Sequence, residues 1–121
     1  MLSAIEPVEI TFGVDKRAAD VRTEVVRHLT AQGGRIKVDD DSTILAGFGS
    51  NLKIRLLGAL LAGIKSMPRD VLVRLTENSG QTQVSVTVRD TFGFGTRMGT
   101  REKLQKLMSD DALSLKALFV R

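Results

Sequence analysis

Apolar and polar residues alternate with a period of two in several short stretches of this chain and recur every three to four residues in two longer ones. The chain therefore predicts strands and helices in a readable order. Over residues 5 to 12, Ile5, Val8, Ile10 and Phe12 predict a first strand whose start is loosened by Pro7. Asp15 follows where a helix N-cap belongs, and Ala18, Val21, Val25 and Leu29 place an apolar stripe on one side of a helix. Gly33-Gly34 ends that helix, because glycine accepts the left-handed backbone of a helix C-terminus at little cost.

Arg35 to Val38 and Ser42 to Phe48 predict two strands around the turn Asp39-Asp40-Asp41. Three adjacent carboxylates lack the alternate spacing and the closing glutamate of a calcium loop, so a turn is expected there and no metal site. Val71, Val73 and Leu75 alternate before Glu77-Asn78-Ser79-Gly80, and Val84, Val86 and Val88 alternate after it with Ser85, Thr87 and Arg89 on the opposite face. That pattern is a hairpin with one buried and one polar face. A last helix is expected from near Thr100, with Leu104, Leu107, Met108, Leu115, Leu118 and Phe119 as its stripe. Ser109-Asp110-Asp111 interrupts the stripe and has the form of a helix start, so either one helix or two helices meeting there fits the pattern.

Between these parts, residues 51 to 67 satisfy two periods at once. Leu52, Ile54 and Leu56 alternate with Lys53 and Arg55 as in a strand, while Leu52, Leu56, Leu60 and Ile64 share one helical face. The favoured reading is a strand through Leu57, entered by a turn at Ser50-Asn51, with Gly58 opening a short apolar helix or loop before Pro68. The expected fold is thus α+β in the order β-α-β(4–5)-α, a single domain over 1–121 with one antiparallel sheet and two helices packed on one face.

This order resembles the topology of TATA-binding-protein-like domains and of START-type helix-grip domains, a likeness of arrangement that carries no function. A narrower resemblance rests on Gly49-Ser50 followed by Arg55-Leu56-Leu57-Gly58. It also takes in Asp90-Thr91-Phe92-Gly93-Phe94-Gly95 before a Thr-Arg-Glu-Lys helix start. Over residues 49 to 103 the chain is similar to a family of uncharacterised small bacterial α+β proteins, and the resemblance implies no functional residues.

Composition narrows the chemistry. Cysteine is absent, which removes disulfides, thiolate metal sites and cysteine nucleophiles. The start of the chain has neither a basic nor an apolar signal region, and the uncharged run from Leu56 to Ile64 is about half of the ~20 residues a membrane span needs. A soluble cytoplasmic protein without a transmembrane segment is expected. The net charge of +4 is uneven, with six basic against eight acidic residues up to Ser50 and ten against four from Asn51 to Met108. Such asymmetry marks an anion-facing side or an ordinary solvated surface.

Two loops repeat one phrase, Gly47-Phe48-Gly49-Ser50 and Gly93-Phe94-Gly95-Thr96. The second precedes a helix start with Arg97, Arg101 and Lys103 near it, a context that suits an anion at a helix N-terminus, yet its spacing departs from the nucleotide-binding loops. The structural reading of both copies is that the glycines let a strand end or bend while the phenylalanine packs inward. His28 falls beside Arg27 and off the apolar stripe, where a solvated side chain with no serine or acid arranged to make a triad is expected, and nothing in the sequence resembles an active site.

The leading expectation is therefore a non-enzymatic binding module for an apolar small molecule, amphipathic ligand, membrane surface or protein partner, with Leu56, Leu57, Leu60, Leu61 and Ile64 as the binding patch and no cofactor. The alternative is weak binding of nucleic acid or another polyanion, an anionic membrane surface included, through Arg89, Gly93, Gly95, Arg97, Arg101, Lys103 and Lys106. Without Trp or Tyr the chain offers few rings for stacking bases, so that affinity would depend steeply on salt.

Overall fold

The computed structural model describes residues 6–49, 67–91 and 98–120, the backbone alone for 98–101. The expected α+β architecture is present. In chain order the elements are β1 (Val8–Val14), α1 (Ala18–Ala31), β2 (Arg35–Asp39), β3 (Thr43–Phe48), β4 (Arg69–Asn78), β5 (Gln81–Asp90) and α2 (Met98–Ala117). The strands form one antiparallel sheet in the order β1-β5-β4-β3-β2, so the first strand closes beside the last and α1 spans the sheet between its two edges.

The alternation read from the sequence becomes rows of side chains across the sheet, since neighbours in register share a face. Val8, Val88, Val71, Ala46 and Ile36 form one inward row, and Ile10, Val86, Val73 and Ile44 the next. A third row holds Phe12, Val84 and Leu75. The helices close over these rows, α1 against β2, β3, β4 and β5 and α2 against β1, β4 and β5. Val21, Val25 and Leu29 of α1 and Leu104, Met108, Ala112 and Leu115 of α2 complete one buried cluster with the inward rows. Burial of this apolar surface is the dominant stabilising term of the fold.

Three local details differ from the sequence reading. The N-cap of α1 is Arg17 rather than Asp15, and it makes no side-chain cap. The cap comes instead from the β4–β5 hairpin: Glu77 Oε1 accepts the Ala18 N–H at 2.7 Å, while the opposed Thr82 donates its hydroxyl to the Lys16 carbonyl at 2.8 Å. A carboxylate at a helix N-terminus meets unpaired N–H groups and the positive end of the helix dipole. Glu77→Ala is therefore expected to lower stability by about 1 kcal/mol, a loss that urea unfolding would measure.

The second difference is that α2 runs unbroken through Ser109-Asp110-Asp111. The interruption in its stripe has a tertiary cause, because Asp111 points toward an arginine of the sheet while Asp110 stays outside, 4.0 Å from Lys106. Third, β1 spans Val8–Val14, two residues beyond the expected end.

The turns follow the sequence closely. Gly33 adopts φ +90° after α1, and the Gly33 and Gly34 N–H groups donate to the Thr30 and Leu29 carbonyls. Ser79 and Gly80 both have positive φ, 55° and 80°, the two-residue turn that matches strand twist. Asp40 closes the β2–β3 turn, its Oδ1 accepting the N–H groups of Ser42 and Thr43 at 3.0 and 2.7 Å. In the first copy of the repeated phrase, Phe48 ends β3 with its ring 5% exposed and Gly49 takes φ +79°. The second copy, and residues 51–66 of the segment read as strand, helix or both, lie outside the described residues.

Candidate functional site

The helices leave the other face of the sheet to the residues that alternate outward. Near the β2 edge that face is shaped by a bulge. The register of β2 against β3 shifts between Ile36 and Val38, so Ile36 points inward beside Ala46 while Val38 pairs with Leu45 on the outward side. Lys37 also points outward, and Asp39 turns back to the helix side, where it pairs with Arg22 of α1. Two consecutive outward side chains, Lys37 and Val38, are the result.

Val38, Leu45, Leu72, Thr87 and Glu9 are in register across the five strands. The first three form a short apolar band, with Val38 39% exposed. The next row toward the Phe48 end of the sheet brings together Arg35, Gly47, Asp70 and Arg89. Gly47 has no side chain to occupy this row, and Lys37 lies across it: a Cβ built on Gly47 would stand 2.6 Å from the lysine Cε. Lys37 Nζ thereby reaches Asp70 Oδ1 at 3.0 Å. Beside this pair is an open cavity of about 530 Å³ lined by Arg35, Lys37, Gly49, Pro68, Asp70 and Thr91. With Arg74 on the other side of the band, the outward face of the described strands carries four cationic side chains against the carboxylates of Glu9 and Asp70. A basic margin around an apolar band attracts an anion that also has apolar surface to bury.

A second open cavity, of about 680 Å³, lies toward the hairpin end of the sheet between Thr11, Gly13, Thr76, Asn78 and Gln83. Hydroxyls and amides dominate its lining, with Asp15 as its one charged residue.

On the helix side a chain of polar contacts crosses from sheet to helices. Arg69 of β4 is 4% exposed; it holds Asp111 of α2 through Nε and Nη2, donates from Nη1 to the Met67 carbonyl at 3.2 Å, and lies 4.9 Å from the centre of the Phe48 ring. The Asp111 carbonyl accepts the Ser114 hydroxyl at 2.8 Å, and Ser114 Oγ is 3.1 Å from His28 Nε2. His28 is consequently half-buried and bonded to α2, where the sequence predicted a solvated side chain. The helical wheel set it off the apolar stripe of α1 and carries no information about the second helix. The Ser114 hydroxyl donates to the Asp111 carbonyl, which leaves its oxygen lone pairs toward the imidazole.

Of the residues that the sequence singled out, Arg89 is exposed on the outward face, whereas Lys103 and Lys106 are exposed on α2, in the layer that covers the opposite face. The Arg101 backbone lies in the first turn of α2. Leu56, Leu57, Leu60, Leu61 and Ile64, and Gly93, Gly95 and Arg97, lie outside the described residues. Sequence reasoning missed Arg35, Lys37, Val38, Leu45, Asp70 and Leu72. The signal was present in Lys37-Val38, a polar–apolar step that strict alternation assigns to opposite faces and that only a bulge turns to one. Among the described residues no three His, Asp or Glu side chains converge as metal ligands, and no described helix is long and apolar enough to cross a membrane. No protein-family model matches the chain, and no curated protein is significantly similar to it.

Proposed function

We propose that the protein is a non-enzymatic binding module that takes an amphipathic anion on the outward face of its sheet. The observation that carries this reading is the apolar band of Val38, Leu45 and Leu72 set in register beside Arg35, Lys37 and Arg89. Charge complementarity selects the occupant. A second copy would bring the same excess of cations to the interface, while an anion with an apolar tail satisfies both the margin and the band. Catalysis has less support, because the described histidine and Ser114 are bonded to each other and to the Asp111 carbonyl within the helix layer.

Dodecyl phosphate, kept below its micelle concentration and titrated calorimetrically, tests the proposal. Leu45→Ser and Leu72→Ser should each weaken binding about tenfold, the scale of one lost apolar contact of some 1.4 kcal/mol, while ethyl phosphate should respond to neither change. Equal affinity of both variants and the unsubstituted protein for dodecyl phosphate would overturn it.

A further inference from the structure

The cavity at the Phe48 end of the band has a chemistry that narrows the ligand further. Of its two cations, Arg35 and Lys37, the second is already engaged by Asp70 at 3.0 Å, and Arg89, outside the cavity, stands opposite Asp70 in register. The glycine at position 47 is what lets this pair form, since a Cβ there would meet Lys37 Cε at 2.6 Å and Nζ at 2.9 Å. A plain anion that takes Lys37 is brought beside the Asp70 carboxylate and is repelled by it. A plain cation that takes Asp70 is likewise repelled by Lys37. A ligand carrying an acid group and an ammonium group a few bonds apart can engage both partners of the opened pair, exchanging one internal ion pair for two external ones with no charge left unmatched.

Resting on the amphipathic-anion reading above and deepening it, we infer that the Arg35, Lys37, Asp70 and Thr91 cavity is a headgroup site for a zwitterionic ligand whose acid group meets Lys37 and Arg35 and whose ammonium meets Asp70. The surrounding geometry fits this polarity. Arg35 and Lys37 lie on the edge strand β2, Asp70 lies two strands inward on β4, and Thr91 with Pro68 closes the end of the cavity, the Thr91 N–H donating to the Pro68 carbonyl at 3.2 Å. The volume of about 530 Å³ lies within the ordinary range for a small-molecule site. Val38, Leu45 and Leu72 begin one step beyond, so an apolar tail attached to the acid group continues onto the band. The shared chemistry is that of phosphoethanolamine, free in solution or as the headgroup of a lipid.

Calorimetric titration of the full chain with O-phosphoethanolamine, ethyl phosphate and ethylamine tests the assignment. O-phosphoethanolamine should bind about tenfold more tightly than ethyl phosphate. Asp70→Asn should erase that preference by strengthening ethyl phosphate and weakening O-phosphoethanolamine, and Lys37→Met should weaken both phosphates while leaving ethylamine no weaker. Both positions are at the surface, and an unchanged melting temperature would establish that each variant is folded. Vesicles of phosphatidylcholine with and without phosphatidylethanolamine distinguish the sources. Selective binding to soluble O-phosphoethanolamine assigns a free ligand, and selectivity confined to the phosphatidylethanolamine vesicles assigns a lipid. Equal affinity for O-phosphoethanolamine and ethyl phosphate, with no difference between the vesicles, overturns the inference, as does a preference that survives Asp70→Asn. Dodecyl phosphate separates the two proposals: if it binds in a manner sensitive to Leu72 while the zwitterion preference is absent, only the headgroup assignment falls.

Discussion

Replacing Asp111 by alanine is expected to destabilise the protein by about 2 kcal/mol, the scale of losing charged hydrogen bonds from a buried guanidinium that keeps its other partners. Arg69 is 4% exposed, so water does not readily replace the hydrogen bonds its Nε and Nη2 lose. The loss should be visible as a fall in the urea midpoint with an unchanged slope. The pair is not thereby a net source of stability. Exchanging both partners for apolar residues of similar volume, Arg69→Met with Asp111→Leu, should recover most of the loss, because neither charge then has to leave water. If Asp111→Ala alone were neutral, the polar contact between β4 and α2 would have no energetic role.

Gly34→Ala is expected to cost about 2 kcal/mol, of the order seen when a methyl group is forced into packed surroundings. A Cβ at this position would stand 2.8 Å from the Leu29 carbonyl oxygen and 2.8 Å from Phe48 Cζ. The first contact is backbone and has little freedom to give. The second displaces the ring on which Arg69 rests, so strain at the α1–β2 junction passes to the buried ion pair. Gly34→Ala and Asp111→Ala should therefore couple: the double variant should lose less than the two single losses added, because the first has already disturbed the site of the second. Thermal unfolding of all three variants would measure the coupling, and strict additivity would show the two sites to be independent.

These two sites also show where the sequence was legible and where it was not. The inward faces of β1, β3, β4 and β5 were readable because one buried side imposes a strict alternation, and any slip would move Val71, Val73, Val84 and Val86 to water. The Ser79-Gly80 turn and the glycine stop after α1 were readable because positive φ favours few residue types. What local pattern could not supply was the identity of tertiary partners. Asp111 looked like a helix start because an acid within an apolar stripe has no local explanation, and Arg69, 42 residues away, supplies the explanation only in the folded state. Asp15 looked like a cap, while the N–H of Ala18 is met by Glu77 from a hairpin 59 residues distant. His28 was assigned to water for the same reason. The outward face was the least legible part: its band depends on the Lys37-Val38 bulge and on Lys37 folding over Gly47, and neither is a property of a single strand.

The measurement that bears most directly on the proposed binding face is methyl chemical-shift mapping during titration with dodecyl phosphate. The methyl groups of Val38, Leu45 and Leu72 should move together with one dissociation constant, and those of Val25, Val73, Val86 and Leu104, enclosed between sheet and helices, should stay in place. Shifts centred on the enclosed group would put the ligand between the sheet and its helices and contradict the account, as would a titration in which none of the outward methyls moves.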